Sequence, residues 1–228
     1  MKKIAIALIL GLFCLISRAG EPYFCTSAGS CLQYERYKTG SNKLVQTTTL
    51  EINRLVPAAG GRREIRYAVT MRKNGKREMF GGRTSLVAML DANGDIHTDF
   101  SASMAAVIKN MFPNSDPKIT GTDGLLPSNI KPGDSLPDAG CSVDLGLVTV
   151  ELTVTERKVL RRERISTPAG DFDCIVVRER KKEDSPLRHL DNYMDNWFVP
   201  NLGYVRHDVY DDKMVLMYTE VLKQIERD

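Results

Sequence analysis

The run Ile65-Arg66-Tyr67-Ala68-Val69-Thr70-Met71-Arg72-Lys73-Asn74-Gly75-Lys76 decides the fold class. Ile65, Tyr67, Val69 and Met71 fall at every second position, and Arg66, Thr70 and Arg72 face the other way. Period-two alternation sets one face of a strand on a core and the other in water. Asn74-Gly75 then supplies the positive φ that a tight type I′ turn requires, so residues 63–73 and 76–81 are expected to pair as a hairpin.

The same signals recur on both sides of this run. Asn93-Gly94 stands between the strand-like stretches 83–91 and 95–100. Val148, Val150, Leu152 and Val154 alternate with Thr149, Glu151, Thr153 and Thr155. Residues 32–38, 43–54, 157–165, 172–181, 193–199, 203–210 and 213–223 also read as strands. Hairpins in series make an antiparallel meander.

Two stretches break the pattern. Met104, Val107, Ile108, Met111 and Phe112 are spaced i, i+3, i+4, i+7, i+8, an apolar helical stripe. A helix is expected over 103–112, capped by Ser101 or Ser103 and stopped by Pro113, with a second short helix near 221–226. Residues 113–146 hold no period and carry Pro113, Pro117, Pro127, Pro132 and Pro137. They read as a long loop of the kind that usually has a function.

The chain opens with Met1-Lys2-Lys3, an apolar run from Ile4 to Ile16, and Ser17-Arg18-Ala19. That is the pattern of a secretory signal cut after Ala19, leaving residues 20–228 as one β-rich domain. Neither Cys14, preceded by Phe13, nor Cys25, preceded by Phe24, fits a lipobox, so no lipid anchor is expected. Of the 32 basic residues, three lie within 1–19, as do none of the 29 acidic ones; a chain cut there carries 29 of each. This balance shows no electrostatic footprint for nucleic acid or an anionic membrane. Four cysteines remain, Cys25, Cys31, Cys141 and Cys174. An even count in an exported chain argues for disulfides, and Cys25–Cys31 with Cys141–Cys174 is the simplest of the three pairings.

Catalytic signatures are missing. There is no GxSxG, HExxH or Walker loop. His97, His189 and His207 are scattered, and no CxxC pair exists, so neither a metal nor another cofactor is implied. Asp91-Ala92-Asn93-Gly94-Asp95 begins like a calcium loop, but its glycine is at position four and Ala102 stands where the closing Glu belongs. Asp191 and Asp195 could pair as carboxylates, although the segment reads as the approach to a strand. The chain is expected not to be an enzyme.

The C-terminal half carries Thr167-Pro168-Ala169-Gly170-Asp171-Phe172-Asp173-Cys174. Later come Trp197-Phe198-Val199-Pro200-Asn201-Leu202-Gly203-Tyr204-Val205-Arg206. With the upstream Lys131-Pro132-Gly133-Asp134, this resembles a family of bacterial envelope proteins of unknown function. That family is marked by "TPAGxFxC" and "W…P…GxVR". The resemblance implies a relative of the periplasmic lipoprotein-carrier fold, a curved antiparallel open barrel or half-barrel with one or two short helices on its concave face. It brings no catalytic residues. By its own chemistry Trp197 is expected in the core, with its indole N–H partnered.

These readings converge on a mainly β, periplasmic or secreted protein that binds an apolar ligand such as a lipid or lipidated peptide. Met104, Val107, Ile108, Met111, Phe112 and Trp197 are the candidate lining. A structural or protein-interaction module of the envelope is the alternative, and an unrecognised hydrolase the third reading.

Overall fold

The computed structural model describes residues 20–227 apart from 147, 186 and 187, so the expected export signal lies outside the described residues. Thirteen strands run in chain order: β1 Cys31–Lys38, β2 Lys43–Pro57, β3 Arg63–Lys73, β4 Arg77–Glu78, β5 Thr84–Leu90, β6 Ile96–Asp99, β7 Lys118–Leu126, β8 Ala139–Asp144, β9 Thr149–Thr167, β10 Gly170–Ser185, β11 Arg188–Val199, β12 Gly203–Tyr210 and β13 Leu216–Glu226. Helix α1, Phe100–Met111, lies between β6 and β7.

Every strand pairing is antiparallel and, apart from one, joins neighbours in the chain, with β3 passing over the short β4 to reach β5. The exception joins the chain's two ends: β1 pairs with β13 from Cys31 opposite Glu226 to Lys38 opposite Tyr218. That pairing closes a ring of twelve strands, with β4 a short appendage on β3. The open half-barrel is therefore corrected to a closed up-and-down barrel. Closure pairs the first and last strands with each other, so neither is left as an open sheet edge.

Other expectations are corrected too. Residues 113–146 are not one loop, because β7 and β8 lie within them. No helix forms near 221–226, where β13 continues to Glu226 and pairs with β1. The two strand readings around Glu156 merge into β9, with a bulge where Glu156 takes a φ of 52°. Asn74-Gly75 forms its tight turn, with φ of 52° and 71°. Asn93-Gly94 joins β5 to β6 as expected but not as a type I′ turn, since only Gly94 has positive φ and the Asp91 carboxylate accepts from Asn93 N at 2.8 Å and Asp95 N at 3.0 Å. Asp99, not a serine, caps α1 by accepting from Ala102 N.

Among the described residues, Cys25, Cys31, Cys141 and Cys174 are not bonded to one another in the expected pairs. Cys141 lies opposite Leu152, and Leu152 opposite Glu183, nine residues along β10 from Cys174. At about 3.3 Å per residue that offset is roughly 30 Å, whereas a disulfide needs Cα atoms within about 7 Å. Cys25 packs in the core with Leu32 and Tyr34. Cys31 precedes Leu32 in β1 and so belongs to the opposite face, which separates it from Cys25.

The two mouths of the barrel are covered differently. At one, the base, segment 20–30 straps across: Gly20 N donates to Asn93 O, Asn201 N to Pro22 O and Gly29 N to Ile52 O. Loop 127–138 lies beside it, its Gly133 and Leu136 N–H groups bonded to β9 carbonyls. At the other, the rim, α1 lies on the inner face of β8 and β9. Its Ile108 clusters with Cys141, Val143 and Leu152, and Leu152 shares a strand face with Val154, which lines the interior cavity.

Candidate functional site

Side chains from eight of the twelve barrel strands meet around one internal cavity of about 230 Å³. Alternation places them there. Ile175, Val177 and Glu179 share one face of β10; Phe198, Asn196 and Met194 stand opposite them on β11. Tyr34 of β1 stacks on Tyr204 of β12 with centroids 4.5 Å apart, and its hydroxyl donates to the Tyr204 carbonyl at 3.1 Å. Leu50, Ile96, Phe100, Leu126, Phe198 and Leu202 complete an apolar and aromatic wall, and Tyr23 and Phe24 from the strap close it at the base.

The wall has one polar pole. Arg157 and Glu179 both line the cavity and pair at 3.3 Å. Arg157 also donates to the carbonyls of Leu125 (3.1 Å) and Pro137 (2.8 Å), so it ties β7 and loop 127–138 to β9. Burial raises the Glu179 carboxyl above the usual carboxylate range, against the opposing pull of Arg157. Asn196 donates to Glu179 at 3.3 Å, and its carbonyl oxygen meets His207 Nδ1 at 2.6 Å. Burial, with the nearby cations Arg36 and Lys181, lowers the His207 pKa to about 3. Glu220, one strand further on, accepts from Arg36 at 2.7 Å and from the Tyr204 hydroxyl at 2.9 Å. The pole is thus a chain of partnered groups with a neutral imidazole in it.

The other face of these strands carries a separate ladder. Arg178 holds Asp195 with two bonds of 2.7 Å, Arg206 holds Asp208, and Arg180 holds Asp191. Arg180 also lies over the Tyr193 ring and Arg178 over that of Tyr210. Asp191 and Asp195 are thus each committed to an arginine rather than to one another.

The sequence-derived lining residues do not assemble here. Ile108 is buried and Met104 half-buried in the cluster under α1; Val107 is half-buried; Met111 and Phe112 are exposed at the rim. Trp197 is 3% exposed in the core, its indole N–H donating to Glu163 at 2.9 Å, with Arg206 over its ring. None of the six lines the cavity. The helix reaches it only through Phe100, at its first turn. His207 alternates with Val205 and Val209 and bonds Asn196, while His97 bonds Asp91 and the exposed His189 meets Asp184. Arg157 and Glu179 were missed. The signal for Glu179 lay in the alternation itself, a carboxylate at the third inward position after Ile175 and Val177. Of the cysteines weighed as anchors, Cys25 is buried in the core, and Cys14 lies outside the described residues.

Comparison with known proteins places this geometry. A family model described as DUF3108-like matches residues 27–222. The structure of a protein classed as exported, with a YmcC-like fold, from Bacteroides fragilis NCTC 9343 is similar with a TM-score of 0.70 at 21% identity, covering 92% of this chain and 100% of that one. A protein classed as a lipoprotein, from Parabacteroides distasonis ATCC 8503, is similar with a TM-score of 0.72 at 19% identity, over the same 92% and 100%. At these identities the likeness is one of fold. No curated protein matches the chain.

Proposed function

From the premise that the chain belongs to the DUF3108-like family, we propose that it is an exported, non-enzymatic envelope protein whose barrel interior takes a small apolar or amphipathic ligand. The observation that carries this reading is the cavity of about 230 Å³, walled by aromatic and aliphatic side chains and given polarity by Arg157 and Glu179. A concave, mostly apolar cavity with a few convergent polar groups is the usual form of a small-molecule site.

The volume narrows the ligand. Drug-sized molecules occupy sites of roughly 300–1,000 Å³, so this one suits a compact molecule, or a single short acyl chain with a polar end at Arg157. A whole diacyl lipid or a lipidated peptide does not fit. An envelope location accords with the similar structures, one classed as exported and one as a lipoprotein.

A non-catalytic role accords with the chemistry of the pole. A His held neutral down to a pKa of about 3 is a weak base near neutrality. Burial pushes the Cys174 thiol to about 12, which leaves it without thiolate character.

Native mass spectrometry of the protein isolated from its own envelope tests the reading, followed by solvent extraction of the released molecule. The expected result is a stoichiometric, non-covalent small mass. A bare polypeptide mass, unchanged after incubation with envelope lipid extract, overturns it.

A further inference from the structure

The barrel's apolar exposure is confined to one end. Among the described residues, seven large apolar side chains are exposed, and Val87 on β5 is the only one away from the rim. The other six are Phe80, Met111, Phe112, Leu145, Met214 and Val215. They sit in the turns between β4 and β5, at the end of α1, between β8 and β9, and between β12 and β13. Because the meander is antiparallel throughout, all of those turns share one mouth of the barrel.

The backbone at two of these tips marks them further. Among the described residues, six other than glycine adopt positive φ, and three of these are asparagines, which tolerate it. Phe80 (53°) and Met214 (63°) are the two apolar ones, held in a conformation that asparagine or glycine would adopt with less strain. Asn110 at the end of α1 donates to the Phe80 carbonyl at 3.0 Å and so fixes that tip.

Cations frame the same rim. The strand ends that face it carry Lys38, Lys43, Lys73, Arg77 and Lys118, and Lys213 adjoins Met214; all six are exposed, and none has an ion pair among the described residues. Of the carboxylates in the same turns, Asp144 accepts from Gly146 N and Asp211 from Lys213 N and Val215 N, while Asp116 and Asp212 are exposed, so the exposed cations outnumber the exposed carboxylates there. The even charge balance of the whole chain conceals this segregation.

We propose that the rim docks on an anionic phospholipid surface, with the six apolar tips entering the headgroup layer and the lysines meeting the phosphates. Apolar tips among unpaired cations are the chemistry of an interfacial contact, and the positive frame is complementary to anionic headgroups. The α1 end of the barrel then faces the lipid. This goes beyond the ligand reading and fails separately from it.

Co-sedimentation of the purified chain with vesicles of phosphatidylcholine, alone or mixed with phosphatidylglycerol, tests the proposal. Two variants are compared with the parent: Lys73→Glu/Lys118→Glu/Lys213→Glu, and Phe80→Ser/Phe112→Ser. Each lysine near an anionic surface contributes roughly fivefold, so the triple reversal should weaken binding to the mixed vesicles by about a hundredfold or more. The phenylalanine pair should weaken binding to both compositions. Anything that residues 1–19 add is common to all three chains, so the differences report the rim alone. Equal binding by all three chains, each with an unchanged melting midpoint, overturns the proposal. So does a variant effect on self-association or on binding to an acidic protein without one on vesicles.

Discussion

At the base of the barrel a carboxylate ties separate segments together; at the rim Asp144 and Asp211 bond only within their own turns, and the exposed lysines have no ion pair among the described residues. Asp95 accepts from Ser128 N (2.8 Å) and Ser128 Oγ (3.0 Å), Asp134 accepts from Lys131 N, and Asp91 organises its own turn. Burial raises the Asp91 carboxyl, but the Asp95 and Asn93 N–H groups and His97 together outweigh it and leave the pKa below the usual value. Among the described residues the rim's exposed lysines have no ion pair, and its large apolar residues lie exposed on turns. The difference teaches that one mouth is built for stability and the other leaves its binding chemistry free. Substitutions at the base should therefore cost folding, and substitutions at the rim should not.

The largest effect is expected at Arg157, whose side chain is 9% exposed. Arg157→Met strands Glu179 in the interior and releases the carbonyls of Leu125 and Pro137. Breaking a buried pair from one side costs about 3–5 kcal/mol, read as a fall in the denaturant midpoint. Adding Glu179→Leu removes the stranded carboxylate and should restore more than half of the loss. If Arg157→Met melts like the parent, the pole does not anchor the base and the contrast breaks there.

Next comes the strap. Gly94 has a φ of 93°, and a Cβ placed on it would overlap the Gly20 carbonyl. Gly94→Val should cost about 2–3 kcal/mol through strained backbone and a displaced strap. Proteolysis within residues 20–30 should become faster. A variant as protease-resistant as the parent would show that the strap is not held by this contact.

Between the two mouths lies His207, and its effect depends on pH. Its folded pKa of about 3 lies below the ordinary 6.5, so between those values the unfolded chain takes up a proton that the folded chain refuses. Stability must then fall with acid, by at most about 1.4 kcal/mol per pH unit. Glu179, raised in the fold, works in the opposite sense above its unfolded pKa and blunts the slope. His207→Gln should flatten the decline between pH 6.5 and 4 in denaturant melts. An unchanged slope would assign the acid sensitivity to other groups.

The base and the rim were not equally legible in sequence. Strands such as β3 and β12 were readable because a single face is buried, and alternation records that directly. β7 was not, because α1 lies so close that a Cβ at Gly124 would stand 2.6 Å from the Phe100 ring. The strand therefore gives up the apolar side chain by which it would have been recognised. Closure was hidden for another reason: β1 and β13 are separated by nearly the whole chain, and no local pattern encodes their pairing. The cavity suffered similarly, since its lining is drawn from eight strands with no more than three residues from any one. The helical stripe, in contrast, was legible but ambiguous. The spacing that places Ile108 against Leu152 also carries Met111 and Phe112 to the rim, and periodicity cannot tell an inner end from an outer one.

The smallest effect is the most informative, because its sign is unusual. Met214 occupies a left-handed conformation at an exposed turn, where a bulky side chain is strained and asparagine is tolerated. Met214→Asn should leave the Asp211 bonds to Lys213 N and Val215 N in place and relieve that strain. Phe80→Gly relieves the same strain but also loosens the unfolded chain, which offsets part of the gain. Met214→Asn is therefore expected to raise stability by about 0.5–1 kcal/mol, seen as a higher melting midpoint, while weakening attachment to mixed vesicles. Stability and attachment moving in opposite directions on one substitution is what a strained contact residue produces. If both rise, or if stability falls, Met214 is packing into the barrel's own turn and the rim is no different in kind from the base.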